Sequence, residues 1–290
     1  MDAAQAELEC DLILQGATAL EDKLQDGVPE ILADLRSAGV KVWMLTGDKV
    51  GTAKNIASAC NMLPHSADVL EITTETFPVL ADLKAQQLTS LQRTLEEVRH
   101  EAELRAKERK WRAKIDRLRR VCGRALHVAP SEGKSALERE LEAQTRELDA
   151  LHPGLEHVRA ALVKRKQEMV EVLGQDQEAS EMCLVIDEKA IDYLGAVSTE
   201  LLSAVGASSH SVVACRARKD QKAEMLNLIR KYQKASCCLA IGDGANDVEM
   251  IKAGHIGVGI IGKEGRQAVN NSDFAIVHSL DPTHQASSHP

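Results

Sequence analysis

Between residues 11 and 76, short apolar runs alternate with stretches of helical period. "DLILQG" predicts a strand. "DGVPEILADLRSAG" predicts a helix, with Pro29 in its first turn, Ile31, Leu32 and Leu35 on one face, and Gly39 as its stop. "VKVWML" predicts a strand closed by "TGDK", and "GTAKNIASACNML" a helix ended by Pro64. The alternation returns after residue 181. There "EMCLVID", "HSVVACR", "SCCLAIGDG", "IGVGII" and "FAIV" predict strands, while "STELLSAV", "KDQKAEMLNLIRKYQ" and "ANDVEMIKAG" predict helices. This order implies a parallel sheet with crossover helices, because parallel neighbours cannot be joined by a tight turn. The last residues, "SLDPTHQASSHP", predict a disordered tail.

Residues 77–180 follow a different rule: strand signal fades and charge rises. Leu88, Leu91, Leu95, Val98 and Ala102 recur at alternating spacings of three and four, as do Trp111, Ile115, Leu118, Cys122 and Ala125. A turn is expected at 128–134, followed by a second run through Leu137, Leu141, Leu148, Leu151, Leu155, Val158, Leu162, Met169 and Val172. Pro153 should kink or restart that helix. The expected shape is an antiparallel helical hairpin with arms of about 45 residues, reaching roughly 70 Å at 1.5 Å per residue. It would interrupt an α/β domain formed by 1–76 and 181–278, ahead of a tail at 279–290. Such a hairpin also offers a coiled-coil surface for a helical partner.

Composition narrows the classes. The chain has 290 residues, 44% hydrophobic but only 2% aromatic, so the core must be aliphatic. A formal charge of −8 argues against a nucleic-acid binder. Nine Lys or Arg lie within 105–120, but dense glutamates nearby fit a solvated, ion-paired helical face. The seven cysteines form no Cys-x-x-Cys pair and read as small core hydrophobes in a reducing compartment. No stretch approaches the roughly 18 apolar residues of a membrane span. The start, "MDAAQAELEC", lacks the pattern of a secretory signal.

Candidate chemistry lies at three predicted strand ends. In an open parallel sheet, ligands bind beyond the carboxyl ends of the strands. "TGDK" (Thr46–Lys49), "CRARKDQK" (Cys215–Lys222) and "GDGAND" (Gly242–Asp247) would bring a hydroxyl, cations and carboxylates to one rim. Such groups suit a phosphoryl group and a hard divalent ion. Mg²⁺ prefers oxygen ligands and is often held by one or two carboxylates plus phosphate oxygens. Asp243 is the better direct ligand, and Asp247 could coordinate directly or through water. Gly242 and Gly244 would let the backbone turn closely. Thr46 and the Gly47 amide could donate to phosphoryl oxygens, and Lys222 could neutralise developing charge. Each cluster also has a plain alternative: an Asp-Gly turn, a helix cap or a surface lysine. Their coincidence at strand ends of one sheet favours a shared site.

The flanking residues are more specific. "LQGATALEDKLQDGVPEILADLRSAGVKVWMLTGDK" and "LAIGDGANDVEMIKAGHIGVGIIGKEGRQAVNNSDFAI" resemble the phosphorylation domain of P-type ATPases, specifically the phospholipid-flippase class. "VIDEKA" and "CRARKDQKAEM" fall between them in the family's order. The resemblance implies a haloacid-dehalogenase-like fold and ATP hydrolysis through an aspartyl-phosphate that drives phospholipid movement. It implies Thr46, Gly47 and Asp48 near nucleotide or phosphoryl oxygens and Arg216 near the nucleotide. It implies Lys222 on the transferring group, Asn246 positioning phosphate, and Asp243 and Asp247 serving magnesium. Asp22 and Asp26 resemble a hinge-side element of the nucleotide site. The family's nucleophile lies in Asp-Lys-Thr-Gly-Thr, a string this sequence does not contain. Lys219 stands where the family usually has proline, which could shift the loop holding Arg216 and Lys222. The expectation is a flippase fragment that would be inactive alone, sited at the membrane through membrane helices outside this sequence, with the chain itself soluble on the cytosolic side. Two alternatives are a non-catalytic coiled-coil protein on a degenerate domain of this fold, and a stand-alone phosphatase of the same fold. Asp187 ends a strand but reads as a helix cap.

Overall fold

The computed structural model describes residues 24–121, 135–173, 182–261 and 265–277. The predicted strand at 11–16, the turn at 128–134 and the tail at 279–290 lie outside them, as does Asp22.

The first described helix, α1 (Val28–Ser37), has Pro29 in its opening turn and ends at Gly39, whose φ of 79° requires the left-handed region glycine tolerates. Of its expected apolar face, Leu32 meets the core, joined by Val28, whereas Ile31 and Leu35 are exposed. Strand β1 (Val42–Leu45) and helix α2 (Val50–Ala59) follow as expected.

Strand β2 (Asp68–Ile72), unforeseen in sequence, pairs with β3 (Met182–Asp187). Helix α3 (Ala85–Val121) is preceded by a 3₁₀ turn at Pro78–Asp82. Helices α4 (Ala136–Leu151) and α5 (Leu155–Leu173) are separated at Pro153 and Gly154, as the proline predicts. Next come α6 (Glu188–Val197), α7 (Thr199–Ser208), β4 (Ser211–Cys215) and α8 (Lys219–Tyr232). The described chain closes with β5 (Leu239–Gly242), a 3₁₀ turn at Ala245–Asp247, α9 (Val248–Ala253), β6 (Ile256–Ile261) and β7 (Phe274–Val277).

All described strand pairs are parallel, but they make two sheets rather than one, ordered β1-β4-β3-β2 and β5-β6-β7. The central strands β3 and β4 are buried along their whole length, as parallel strands covered on both faces must be. Ala240 of β5 clusters with Leu226 and Met250, and Leu45 of β1 packs against that cluster. The end of β1 is therefore set beside β5.

The middle segment differs from the expected hairpin. Its α3 and α4 do run antiparallel: Gln87 meets His152 (3.4 Å) and Arg105 meets Glu138 (3.9 Å). The described length of α3 is 37 residues, about 55 Å at the standard rise. The second run, however, does not form one long arm. After the break at Pro153, Leu155, Val158, Leu162 and Met169 turn their apolar stripe into the main core, with Ile72, Leu184 and Tyr193. Arg165 of α5 clasps the Asp68 carboxylate of β2 at 2.8 and 3.0 Å. The base of α3 joins the same core through Leu88 and Leu91, and Arg99 stacks on Tyr232 of α8. The α5 part of the second run is thus a stripe facing the domain's own core.

Among described cysteines, Cys60, Cys183 and Cys215 are buried, as small hydrophobes should be. Cys237 is exposed, and the vicinal pair precedes β5 instead of lying within it. Among the described residues no helix is long and apolar enough to cross a membrane.

Candidate phosphoryl-binding site

Thr46 extends β1: its amide donates to the Ala214 carbonyl of β4 at 2.9 Å, and its hydroxyl donates to Asp48 Oδ2 at 2.6 Å. The Asp48 amide donates back to Thr46 Oγ1 at 3.1 Å. This closed two-residue turn leaves Gly47 exposed at its tip.

The loop after β4 is laced to that turn. The Arg216 amide donates to the Asp48 carbonyl and the Ala217 amide to the Thr46 carbonyl, each at 2.8 Å. Arg216 has φ 51°, a left-handed conformation that costs a non-glycine residue on the order of 1 kcal/mol. Its side chain is exposed at the rim. Helix α8 starts three residues later and buries Lys222 on its first turn.

Lys222 Nζ lies 2.8 Å from Asp247 Oδ1, with only 6% and 9% of the two side chains exposed. The Asp243 and Gly244 amides donate to Asp247 Oδ2, both at 3.3 Å. Gly242 is required here for space: a Cβ there would sit 2.4 Å from Asp247 Cβ. Gly244, with φ −98° and ψ 167°, is extended and buried. Asp247 closes the 3₁₀ turn ahead of α9 rather than lying within the helix. Asp243 and Asn246 are exposed.

The expected residues therefore fall into two joined groups. Thr46, Gly47, Asp48 and Arg216 share the β1–β4 end, and Lys222, Asp243, Asn246 and Asp247 share the β5 end, with Leu45 packed against the β5 cluster between them. Asp26 is exposed ahead of α1.

Sequence reading found Asp187 as a helix cap but not its second task in supporting the rim. Asp187, buried at the end of β3, accepts from the Ala190 amide of α6 (2.9 Å), as a cap should. It also accepts from the Thr74 amide (2.6 Å) and hydroxyl (2.8 Å), fixing the loop after β2. Beside it, burial pushes the Cys215 thiol up to about 12, with the Asp187 charge adding to the shift. That thiol is structural.

Among the described residues no group of three or more His, Cys, Asp or Glu is placed to hold a metal ion. Magnesium needs no such cage, since one or two carboxylates with phosphate oxygens and waters can suffice. Exposed Asp243 fits that requirement. Asp247 is committed to Lys222 and two amides, so it fits the role of steadying a metal-bound water better than that of a direct ligand.

The strand ends of this parallel α/β core thus gather a hydroxyl turn, a buried lysine and two aspartates where open sheets of this kind bind ligands. Residues 2–102 and 75–255 match the model of haloacid dehalogenase-like hydrolases, and the chain belongs to that family. It is 37% identical over 269 residues to phospholipid-transporting ATPase ID of Mus musculus, covering 93% of this chain and 18% of that protein. It is 35% identical to phospholipid-transporting ATPase IC of Mus musculus (95% and 19% covered) and 34% identical to phospholipid-transporting ATPase 10 of Arabidopsis thaliana (95% and 18%). The chain thus spans about a fifth of the length of these relatives.

Proposed function

We propose that this chain supplies the magnesium- and phosphate-handling half of the phosphorylation domain of an ATP-driven phospholipid translocase of the P-type class. The observation that carries this function is the buried Lys222–Asp247 pair, set beside exposed Asp243. In the resembling family these positions serve phosphoryl transfer, and similarity to phospholipid-transporting ATPases extends over more than nine-tenths of the chain.

Each residue has a defined task. Thr46 Oγ1 and the exposed Gly47 amide donate to phosphoryl oxygens once the hydroxyl turns from Asp48. Arg216 extends the positive rim toward the nucleotide. Lys222 holds a cationic Nζ close to where charge develops, and Asn246 orients phosphate from the β5 end. Asp243 would ligate magnesium directly and Asp247 through water. The bound ion would supply charge neutralisation at the phosphoryl oxygens.

The attacking carboxylate would come from a strand outside this sequence. Among the described residues β1 and β5 are sheet ends, so their outer edges lack a strand partner. A parallel strand placed between them would join the two sheets and end beside Thr46 and Asp243. In the parent enzyme the lipid path would lie in membrane helices, with this domain on the cytosolic side. We assign 77–180 as an insertion whose α3–α4 portion is available to a helical partner and whose α5 is fixed in the core. Purified chain given ATP and Mg²⁺ should show no turnover, because covalent catalysis without its nucleophile fails almost completely. Turnover abolished by Asp243→Asn would overturn this function.

A further inference from the structure

The loop Arg216–Gln221 presents both Arg216 and Lys222 to the rim, and a second set of contacts holds its far side. The Arg218 guanidinium forks onto Asp192 of α6, with Nη2–Oδ1 at 2.9 Å and Nη1–Oδ2 at 3.1 Å. It also reaches Glu188 Oε1 at 3.0 Å and Asp220 at 3.3 Å. Hydrogen bonding to Asp192 drives its pKa above the usual arginine range. Gln221, fully buried, completes the joint: its Nε2 donates to the Glu188 carbonyl and Asp192 Oδ1, both at 2.8 Å, while its Oε1 accepts from the Arg218 amide at 3.0 Å.

The backbone here has φ −71° and ψ 163° at Arg218, followed by Lys219 as the first residue of α8. An extended residue followed by a helix-opening position is the geometry that a proline at 219 would impose and favour. Lys219 is where the resembling family usually carries proline, yet the loop has not shifted from a proline-compatible path.

We propose that Arg218 is a positioning residue: its clamp on Asp192 and Glu188 replaces a proline's rigidity and sets the loop that aims Arg216 and Lys222. The role of this loop in phosphoryl binding rests on the function proposed above, whereas the clamp itself does not. Isolated exposed ion pairs are worth little, but a bidentate arginine fork shared among several carboxylates is stronger and geometrically specific.

Amide hydrogen exchange on the full chain tests this directly. The Arg216, Ala217 and Lys222 amides, bonded to Asp48, Thr46 and Arg218 carbonyls, report the loop. Arg218→Ala should speed their exchange about fivefold to tenfold while leaving β3 unchanged, as expected of local opening. Adding Lys219→Pro should restore protection to within about twofold, since proline narrows the open ensemble without touching α6. Should Arg218→Ala fail to fold, Asp192→Asn cuts the same clamp from its other side and should give the same local loosening. Unchanged exchange at these amides, a uniform rise that includes β3, or no recovery with Lys219→Pro would overturn the clamp. Titration of the same samples with Mg²⁺ and inorganic phosphate separates the two ideas. Absence of binding by the parent chain counts against the phosphoryl site and leaves the exchange result to decide the clamp.

Discussion

Breaking the Lys222–Asp247 pair should be expensive in a way that breaking other ion pairs is not. Both side chains are nearly removed from solvent, at 6% and 9% exposure, and Nζ meets Oδ1 at 2.8 Å. Removing one partner of a buried pair costs roughly 3–5 kcal/mol, because the survivor remains buried and unpaired. Asp247 keeps two long amide contacts, which places Lys222→Met near the lower end, about 3 kcal/mol. For a domain of this size that is a melting-temperature loss of about 6–12 °C. Asp247→Asn should cost somewhat less, because the amide can still accept from the backbone. The double variant should recover much of the sum, giving a coupling energy of about 2 kcal/mol in a double-mutant cycle. Arg146–Glu142, with 80% and 39% exposure, is an internal control and should couple by less than about 0.5 kcal/mol. Urea unfolding of the four proteins measures the cycle. A Lys222–Asp247 coupling no larger than the control would refute the view that this pair is a buried structural and electrostatic centre.

Three further outcomes follow from the packing. Leu162→Ala should cost about 2–5 kcal/mol, because the side chain is fully buried in the main core, while Val170→Ala on the exposed face should stay within about 0.5 kcal/mol; comparable losses would mean that α5 is not part of the core. Gly206→Ala places a Cβ 2.8 Å from the Trp43 ring and should destabilise by about 1–3 kcal/mol with a change in Trp43 emission. Iodoacetamide at pH 8 should alkylate exposed Cys237 and spare buried Cys215, whose thiol burial pushes up to about 12, until the chain is unfolded.

How legible these features were depended on how local their causes were. Buried strands β3 and β4 announce themselves as unbroken apolar runs, because both faces are covered. Edge strand β2 does not: Glu71 pairs with Lys54 and Asp68 with Arg165, so its pattern reads as polar loop. Helix α6 escaped notice because no turn residues separate it from β3; Asp187 is both the last strand residue and the cap. The heptads of the second helical run were real, but period alone cannot say whether a stripe faces a helix or a sheet. The rim residues were visible as clusters at strand ends. The Arg218 clamp was not, because Asp192 lies 26 residues away and meets it only through the β3–α6 and β4–α8 crossovers.

The account turns on the rim of β1, β4 and β5 binding magnesium and phosphate together. Nuclear magnetic resonance titration with Mg²⁺ in the presence of inorganic phosphate measures this most directly. Saturable shifts should appear at the amides of 46–48 and 242–247, and Asp243→Asn should abolish them while preserving the fold. Undisturbed amides at these positions, or shifts that persist unchanged in Asp243→Asn, would contradict it.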